Sequence, residues 1–296
     1  MKFPDRFTVI SDEVSQDLPV LRAFVREFGL PGIELRSFAG RAFKDLTRDD
    51  LAAIAAAARE DGWKIFGCST PVFKCAIDDA KAIAEHREIF KRSLDTARTL
   101  GADLLRVFTF LRQPDPLEPL RLDRVAEQLR GLGELARGSG VRIGIENEHS
   151  CFTGTVAEME AILARLPADQ FGAIWDPCNV LYIPGAGAPL PSDITRLASR
   201  LFHLHVKDSI RRPPATPGAH IAVGTPLGLG QVDWRGHLEA ARAAGYAGMF
   251  SLETHWRVQK IDESLLHLPA GYSFSAGGEA ASRVCFHNLK SLAETL

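Results

Sequence analysis

Ile143-Gly-Ile-Glu146 is the polar end of one apolar run, and three further segments repeat this pattern: Ile174-Trp-Asp176, His203-Leu-His205 and Ser251-Leu-Glu253. Together they offer three carboxylates and an imidazole, a ligand set that suits a hard divalent metal ion. A carboxylate at the end of a β-run is costly to bury unless positive charge lies beside it. Strand ends converge in a parallel barrel, so the pattern predicts that fold.

Eight apolar runs typical of β-strands alternate with alanine- and leucine-rich segments of helical periodicity. The runs are 7–10, 32–36, 64–68, 104–110, 141–146, 171–176, 201–206 and 249–253. The clearest helical segments are 48–59, with Thr47 as its N-cap, 122–137, 155–165 and a closing helix over 279–296. This alternation predicts an α/β protein with one parallel eight-stranded (β/α)8 TIM barrel over residues 1–296, without an internal domain boundary.

Two connections are too long for simple barrel turns. Residues 209–230 are rich in proline and glycine, and residues 256–278 follow the last predicted strand. Both are expected at the carboxyl-end face, where barrel active sites are built. Each is interpreted either as a lid or as a surface elaboration or oligomer contact.

Composition favours small-molecule chemistry. The 296 residues are 46% hydrophobic, and 35 basic against 37 acidic residues give a formal net charge of −2, which provides no broad attraction for nucleic acid or anionic lipid. No stretch reaches the roughly 18 apolar residues of a membrane span. Five cysteines, without a CxxC pair, indicate reduced thiols. We therefore expect a cytoplasmic protein with no nucleic-acid or membrane partner.

The alternation of side chains along a β-strand predicts which polar residues of the seventh run point to the same side. The period of two places His203, His205 and Lys207 on one face at successive heights. His205 is then predicted at metal height, His203 one layer deeper as a satisfied core histidine, and Lys207 at the rim, pointing toward substrate. The same parity places Glu146 and Glu148 on one face of the fifth run.

Specific segments resemble a known family. Ile145-Glu-Asn-Glu-His149, Trp175-Asp-Pro-Cys-Asn179, His203-Leu-His-Val-Lys-Asp208 and Ser251-Leu-Glu-Thr-His255 are similar to the sugar phosphate isomerase/epimerase family of xylose-isomerase-like TIM barrels. The likeness covers nearly the whole chain and includes Ser11-Asp-Glu-Val-Ser-Gln-Asp17, Glu34-Leu-Arg36, Ser69-Thr-Pro-Val-Phe-Lys74 and Arg106-Val-Phe-Thr-Phe110.

The resemblance implies a metal site and a reaction. Its motifs place the metal ligands on Glu146, Asp176, His205 and Glu253, and the expected ion is Mn²⁺, with Mg²⁺, Co²⁺ or Zn²⁺ as alternatives. Glu146 and Glu253 are implied as the catalytic carboxylates of a sugar isomerase or epimerase. A divalent ion on the carbonyl and hydroxyl oxygens of a keto-sugar stabilises an enediolate, while one carboxylate takes a proton and another returns it.

A further group of residues is predicted to contact a small, carbohydrate-like substrate, each with a structural role as the alternative. The group comprises Arg36, Lys74, Arg106, Glu148, His149, Asn179, Lys207, His255 and Trp256. Arg36 and Glu34 share a face, so they could also only neutralise each other. The chain has no GxGxxG and no P-loop lysine, which favours a non-phosphorylated keto-sugar, polyol-derived substrate or cyclitol. A homo-oligomer is a further expectation for this type of barrel.

Other functions stay open at this point. Members of the resembled family include dehydratases and lyases that act on inososes or dehydroshikimate, and His149 or His255 could supply the acid which that reaction needs. An abasic-site endonuclease shares the fold, but it requires a multi-zinc cluster and a basic face. A sugar-binding barrel without catalysis is the remaining alternative, although all four ligand positions carry competent residues.

Overall fold

Eight parallel strands form a nearly closed barrel in the computed structural model, which describes residues 3–113, 119–213, 221–259 and 275–296. We label the barrel strands β1 (Phe7–Val9), β2 (Gly32–Leu35), β3 (Lys64–Ser69), β4 (Leu104–Val107), β5 (Arg142–Glu146), β6 (Phe171–Trp175), β7 (Leu201–Val206) and β8 (Met249–Leu252). The hydrogen-bonded order of the strands is β1-β8-β7-β6-β5-β4-β3-β2. A parallel bridge between Ile10 and Glu34 brings the two ends together, so the predicted TIM barrel is confirmed.

Helices surround the barrel. We number them α1 (Ser11–Val14), α2 (Leu18–Phe28), α3 (Arg48–Asp61), α4 (Ala80–Leu100), α5 (Pro119–Ala136), α6 (Val156–Leu163), α7 (Pro191–Leu197), α8 (Trp234–Ala243) and α9 (Gly278–Glu294). Thr47 caps α3 as predicted, because its side chain accepts a hydrogen bond from the Asp50 amide and Asp50 returns one to Thr47. None of the helices in the described ranges is long and apolar enough to cross a membrane.

The loop predicted over 209–230 is in part a β-hairpin. Asp208–Arg211 pairs antiparallel with Ala222–Thr225, and residues 214–220 between these strands lie outside the described residues. The hairpin lies beside the chain that follows β8, because a Cβ on Gly224 would be 3.3 Å from the carbonyl oxygen of His255. Residues 260–274 of the second long loop also lie outside the described residues. The assignment of either loop as a lid stays a prediction.

Two strands carry irregularities that affect the barrel mouth. The pairing of β2 with β3 shifts between Ile33 and Glu34, and the pairing of β6 with β7 shifts between Ala173 and Ile174. Each shift precedes a polar residue at the carboxyl end of the barrel. The side chains of Glu34 and Asp176 are buried there, at 1% and 0% exposure.

The approach of β6 to β7 requires a glycine at position 172. A Cβ there would lie 2.5 Å from the carbonyl oxygen of Arg200 and equally close to the ring of Phe202. Gly172→Ala is expected to lower the free energy of unfolding by about 1–3 kcal/mol, since backbone must move. Urea denaturation measures this change. Gly187→Ala is the control, because nothing lies within 4 Å of its Cβ position; equal stability of the two variants would contradict this account.

Candidate metal and substrate site

The four predicted metal ligands meet at the carboxyl-end mouth of the barrel. Glu146 ends β5, Asp176 follows β6, His205 lies in β7 and Glu253 follows β8. All four are buried, and one ligand atom from each lies within 4.8 Å of the corresponding atoms of the other three. Three carboxylates and one imidazole at this spacing could hold one divalent ion.

Two carboxylate oxygens of this group are compensated by cations of the protein. Asp176 Oδ2 and Glu146 Oε2 are buried and make no hydrogen bond within the described part of the chain. Each faces a cation at ion-pair distance, since Lys207 Nζ is 2.6 Å from the first and Arg106 Nη1 is 2.9 Å from the second. The ligand group as a whole, with three buried carboxylates and one imidazole, is a donor set that fits a divalent metal ion.

His205 presents one ring nitrogen to the ligand group and the other to a buried carboxylate. Its Nδ1 lies 3.0 Å from Glu146 Oε1, and its Nε2 lies 3.1 Å from Glu34 Oε2. Burial lowers the pKa of His205, but the charges of Glu34 and Glu146 more than offset this, and the net pKa is well above its usual range. The two carboxylates thus favour the doubly protonated ring, and a metal ion at Nδ1 would replace the proton there while Nε2 keeps its proton toward Glu34.

His203 lies one layer deeper, at the position predicted for a core histidine. Its Nε2 is 3.0 Å from Glu34 Oε2 and 2.6 Å from Ser251 Oγ, and Ser69 Oγ donates to the other oxygen of Glu34. Burial alone would raise the pKa of Glu34, yet His205 and His203 hold that pKa well below its ordinary value. His203 thus has hydrogen-bond partners that account for its burial.

Arg36 does not serve merely to neutralise Glu34, so that alternative is wrong. Its guanidinium lies 2.6 Å from Glu13 Oε1, 2.6 Å from Glu253 Oε1 and 2.9 Å from Asp12 Oδ1. The sequence analysis assigns no role in the site to Asp12 or Glu13. The sequence does carry a signal for them: both acids come directly after the apolar run of β1, just as Glu146 stands at the end of the apolar run of β5.

Glu13 also positions His255. Its carboxylate accepts a hydrogen bond of 3.1 Å from the His255 backbone amide and lies 3.3 Å from the Nε2 of that ring. The same Nε2 is 3.4 Å from Glu253 Oε1. His255 adopts φ 44°, a left-handed conformation that is uncommon for residues other than glycine. Glu13 compensates for this strain and keeps the imidazole beside the ligand group.

Lys207 differs from its predicted position at the rim. It is only 4% exposed, and its Nζ lies 2.6 Å from Asp176 Oδ2 and 2.7 Å from Glu253 Oε2. Burial would lower the pKa of Lys207, but those two carboxylates hold it well above its ordinary range. Burial is also the main cause that raises the pKa of Asp176 to about 6, with Glu253 and Glu146 adding to it. Lys207 is drawn inward because Asp176 has no other ion-pair partner among the described residues.

Two asparagines hold the backbone and side chains of the ligand group. Asn147, which parity places on the opposite face from Glu146, accepts a hydrogen bond of 2.6 Å from the Asp176 amide and donates one of 2.8 Å to the Asp176 carbonyl. Asn179 Nδ2 donates to the Asn147 carbonyl at 2.8 Å and lies 3.5 Å from Glu146 Oε1. Asn147 cannot be selected from the sequence pattern, because its contacts are with the Asp176 backbone, which follows the neighbouring strand β6.

Glu146 and Glu253 of the ligand group line a cavity of about 550 Å³, and Asp176 and His205 are buried beside them. Eight of the predicted substrate contacts line it: Arg36, Lys74, Arg106, Glu148, His149, Asn179, Lys207 and His255. Trp256 is not among the described lining residues; it is half-buried and packs against the hydrophobic core. The apolar and aromatic side chains that line the cavity are Phe108, Tyr182, Pro71 and Ala222.

The loops after β3 and β4 fix one side of this cavity. Phe73 and Phe110 both have left-handed backbones, with φ 64° and 65°, and their buried rings stack at 4.4 Å. The Phe110 amide donates to the Phe73 carbonyl at 2.8 Å, and Phe108 is bonded in the same way to Val72. Bulky residues rarely adopt this conformation, so the paired loops hold a strained arrangement that places Lys74 over the Phe108 ring.

Three charged or titratable groups in the cavity wall are paired with one another. Glu148 lies 3.1 Å from Lys74 Nζ and 2.6 Å from His149 Nδ1, and the His149 ring stacks on Tyr182. Burial opposes ionisation of Glu148, but His149 and Lys74 hold its pKa below the ordinary value. This wall therefore offers a carboxylate acceptor, a cation and two rings to a polar ligand.

The two histidines of β7 are expected to respond differently to substitution. His205→Asn should abolish tight metal binding with the barrel still folded, because its Nδ1 faces the ligand group. His203→Asn should keep metal binding and lower the free energy of unfolding by about 1–3 kcal/mol, because Glu34 loses a buried partner. Metal content after gel filtration and thermal denaturation measure both effects. Loss of metal with unchanged stability in His203→Asn would show that the two roles are reversed.

Comparisons with known proteins agree with this architecture. The chain matches no curated protein. One similar solved structure is the IolI protein with a bound zinc atom, at 18% identity over 98% of each chain and a TM-score of 0.74. Another is a xylose isomerase-like TIM barrel protein from Mycobacterium smegmatis with magnesium, at 20% identity over 91% of this chain and 88% of that chain and a TM-score of 0.62. A third is D-allulose 3-epimerase from Methylomonas sp. with D-allulose (16% identity, 96% of this chain and 97% of that chain, TM-score 0.68). Residues 22–271 match the sequence model of the xylose isomerase-like TIM barrel, and the protein therefore belongs to that family.

Proposed function

We propose that this protein is a divalent-metal-dependent isomerase or epimerase that acts on a non-phosphorylated keto-sugar, polyol-derived substrate or cyclitol. The observation that carries the proposal is the convergence of Glu146, Asp176, His205 and Glu253, of which Glu146 and Glu253 line a cavity. Similar structures contain zinc, magnesium or D-allulose, which supports a metal site and a sugar-type ligand. Mn²⁺ is the ion we propose, because three carboxylates and one imidazole favour harder ions over zinc.

Glu146 and Glu253 are the proposed proton-transfer residues. A bound divalent ion would polarise the substrate carbonyl and lower the cost of forming an enediolate. Each glutamate has one oxygen near the ligand group and the other beside an arginine, since Arg106 lies 2.9 Å from Glu146 Oε2 and Arg36 lies 2.6 Å from Glu253 Oε1. The arginines fix the two carboxylates, so one can remove a proton from carbon while the other delivers one.

The remaining cavity residues are proposed to orient the substrate. Lys74, Arg106 and Asn179 present donors, and Glu148 presents an acceptor for hydroxyl groups. A cavity of about 550 Å³ lies within the range of small-molecule sites. The ring of Phe108 offers an apolar face. This mixture of acceptors, donors and one aromatic wall suits a polyhydroxylated substrate better than an apolar one.

A dehydratase is the second candidate, because two histidines line the same cavity. His149 is held by Glu148, and His255 is held between Glu13 and Glu253, so either imidazole could protonate a leaving hydroxyl group. This reaction would begin with the same removal of a proton from carbon. It differs in its product, which is lighter by one water molecule.

The test is solvent-deuterium incorporation into a panel of ketohexoses, ketopentoses and inososes in the presence of Mn²⁺, Mg²⁺ or Co²⁺. The wild type should exchange the carbon-bound proton of at least one substrate, and chelation followed by dialysis should abolish exchange until metal is restored. Mass spectrometry of the product distinguishes an isomer from a dehydrated product. Substrate binding without exchange in any metal form would indicate a non-catalytic sugar-binding barrel.

Substitution of either proton-transfer residue should abolish this exchange. Glu146→Gln and Glu253→Gln are expected to lower kcat at least about 1,000-fold, because they remove both a proton acceptor and a metal ligand. Glu239→Gln is the control, since this exposed side chain pairs with Arg235 on α8, away from the cavity. Full activity in either of the first two variants would refute the proposed site.

Lys74 should act on binding of substrate more than on chemistry. Lys74→Met is expected to raise KM about tenfold with kcat nearly unchanged, because its ammonium contacts the cavity and not the ligand group. Lys81→Met, whose side chain is 88% exposed on α4, serves as the control. If Lys74→Met lowers kcat and kcat/KM equally, Lys74 instead makes an interaction that forms only in the transition state.

A further inference from the structure

The ammonium group of Lys207 occupies the space to which the ligand oxygens point. Its Nζ contacts Asp176 Oδ2 and Glu253 Oε2 at 2.6 and 2.7 Å. Glu253 Oε2 is also 3.8 Å from His205 Nδ1, the nitrogen that faces the ligand group. One positive charge thus lies among the oxygens and the nitrogen that would surround a metal ion.

Two arginines also contact carboxylates of the ligand group, but at other oxygens. Arg36 contacts Glu253 Oε1, and Arg106 contacts Glu146 Oε2. The oxygens that approach His205 Nδ1 are Glu253 Oε2 and Glu146 Oε1. Both arginines can therefore keep their contacts when a metal ion binds. Lys207 cannot, because it uses the oxygens that a metal ion would need and two cations would repel each other there.

The backbone of Lys207 is fixed, so any movement is confined to its side chain. Trp234 Nε1 donates a hydrogen bond of 2.9 Å to the Lys207 carbonyl. The next residue, Asp208, accepts backbone hydrogen bonds of 2.9 to 3.1 Å from Ser209, Gly228, Gly230 and Val232. A Cβ at position 230 would lie 2.0 Å from Asp208 Oδ1, which shows how closely this loop is packed.

We propose that Lys207 is an internal stand-in for the metal ion: it neutralises Asp176 and Glu253 in the metal-free protein and turns into the cavity when the ion binds. The inference rests on the proposed metal-dependent function. The side chain already lines the cavity, whose volume of about 550 Å³ leaves room for a rotated ammonium. In that position Lys207 presents a positive charge to an oxyanion or carboxylate of the substrate.

This exchange has a consequence for metal affinity. In the wild type, metal binding replaces a buried ion pair, so part of its favourable free energy is used to release the lysine. In Lys207→Met the carboxylates lack that cation before the metal arrives. Breaking one side of a buried ion pair is strongly destabilising, so the metal-free variant should be less stable and should gain more from metal.

The test is titration of metal-free wild type, Lys207→Met and Lys74→Met with Mn²⁺, followed by calorimetry and by thermal denaturation. Lys207→Met should bind Mn²⁺ at least about tenfold more tightly than wild type and show a larger metal-induced rise in Tm. Lys74→Met, a cavity lysine outside the ligand group, should bind like wild type. Equal Kd values for wild type and Lys207→Met would overturn the inference and leave the proposed metal-dependent function intact.

Two other outcomes are distinguishable. Absence of binding in all three proteins would overturn the proposed function. Binding in Lys207→Met with none in wild type would show that the lysine excludes the ion permanently, which contradicts its release and also metal-dependent catalysis by the wild type.

A second measurement uses the wild type and needs no variant to fold. Acetylation of amines by an activated ester, followed by peptide mass spectrometry, reports the accessibility of each lysine. Lys207 should react severalfold faster after Mn²⁺ is added, whereas exposed Lys81 should react at the same rate in both states. An unchanged rate for Lys207 in protein shown to contain bound Mn²⁺ would overturn the proposed movement.

Discussion

Compensation of buried negative charge is the constraint on which the mouth of this barrel depends. Glu146, Asp176 and Glu253 lie within a few ångströms of one another in a region that water scarcely reaches. Carboxylates so placed repel one another and lose hydration, so positive charge has to lie beside them. In the structure that charge comes from Lys207 and His205 at the centre and from arginines at the edges.

The edges are supported by a second layer of buried acids. Glu13 and Asp12 hold Arg36, and Arg36 in turn holds Glu253. Glu34 plays the matching role for His205 from the opposite ring nitrogen. Glu253 and His205, which face the ligand position, are thus oriented by Arg36 and Glu34. This arrangement keeps the carboxylates in place in the absence of a metal ion, at the cost of a dense network of ion pairs.

The barrel and the positions of the candidate ligands could be predicted from sequence because both follow from local rules. Alternating apolar runs identify the strands, and a period of two places Glu146 and His205 on the inner face. Partners across the barrel follow no such rule. Arg36 meets Glu253, 217 positions away, because the barrel closes and brings β2 near β8. The inward position of Lys207 likewise depends on charges from other strands.

Closure of the barrel also explains why one lysine and two arginines have different parts in the same charge network. Arg36 and Arg106 lie to the sides of the ligand group and meet oxygens that point outward, with planar groups that suit fixed pairing. Lys207 extends from β7, beside His205, and its flexible stem ends at the centre. A fixed planar cation there would block the site, whereas a flexible one can leave it. Arginine thus occurs where the positive charge stays in place, and lysine occurs where the charge has to move.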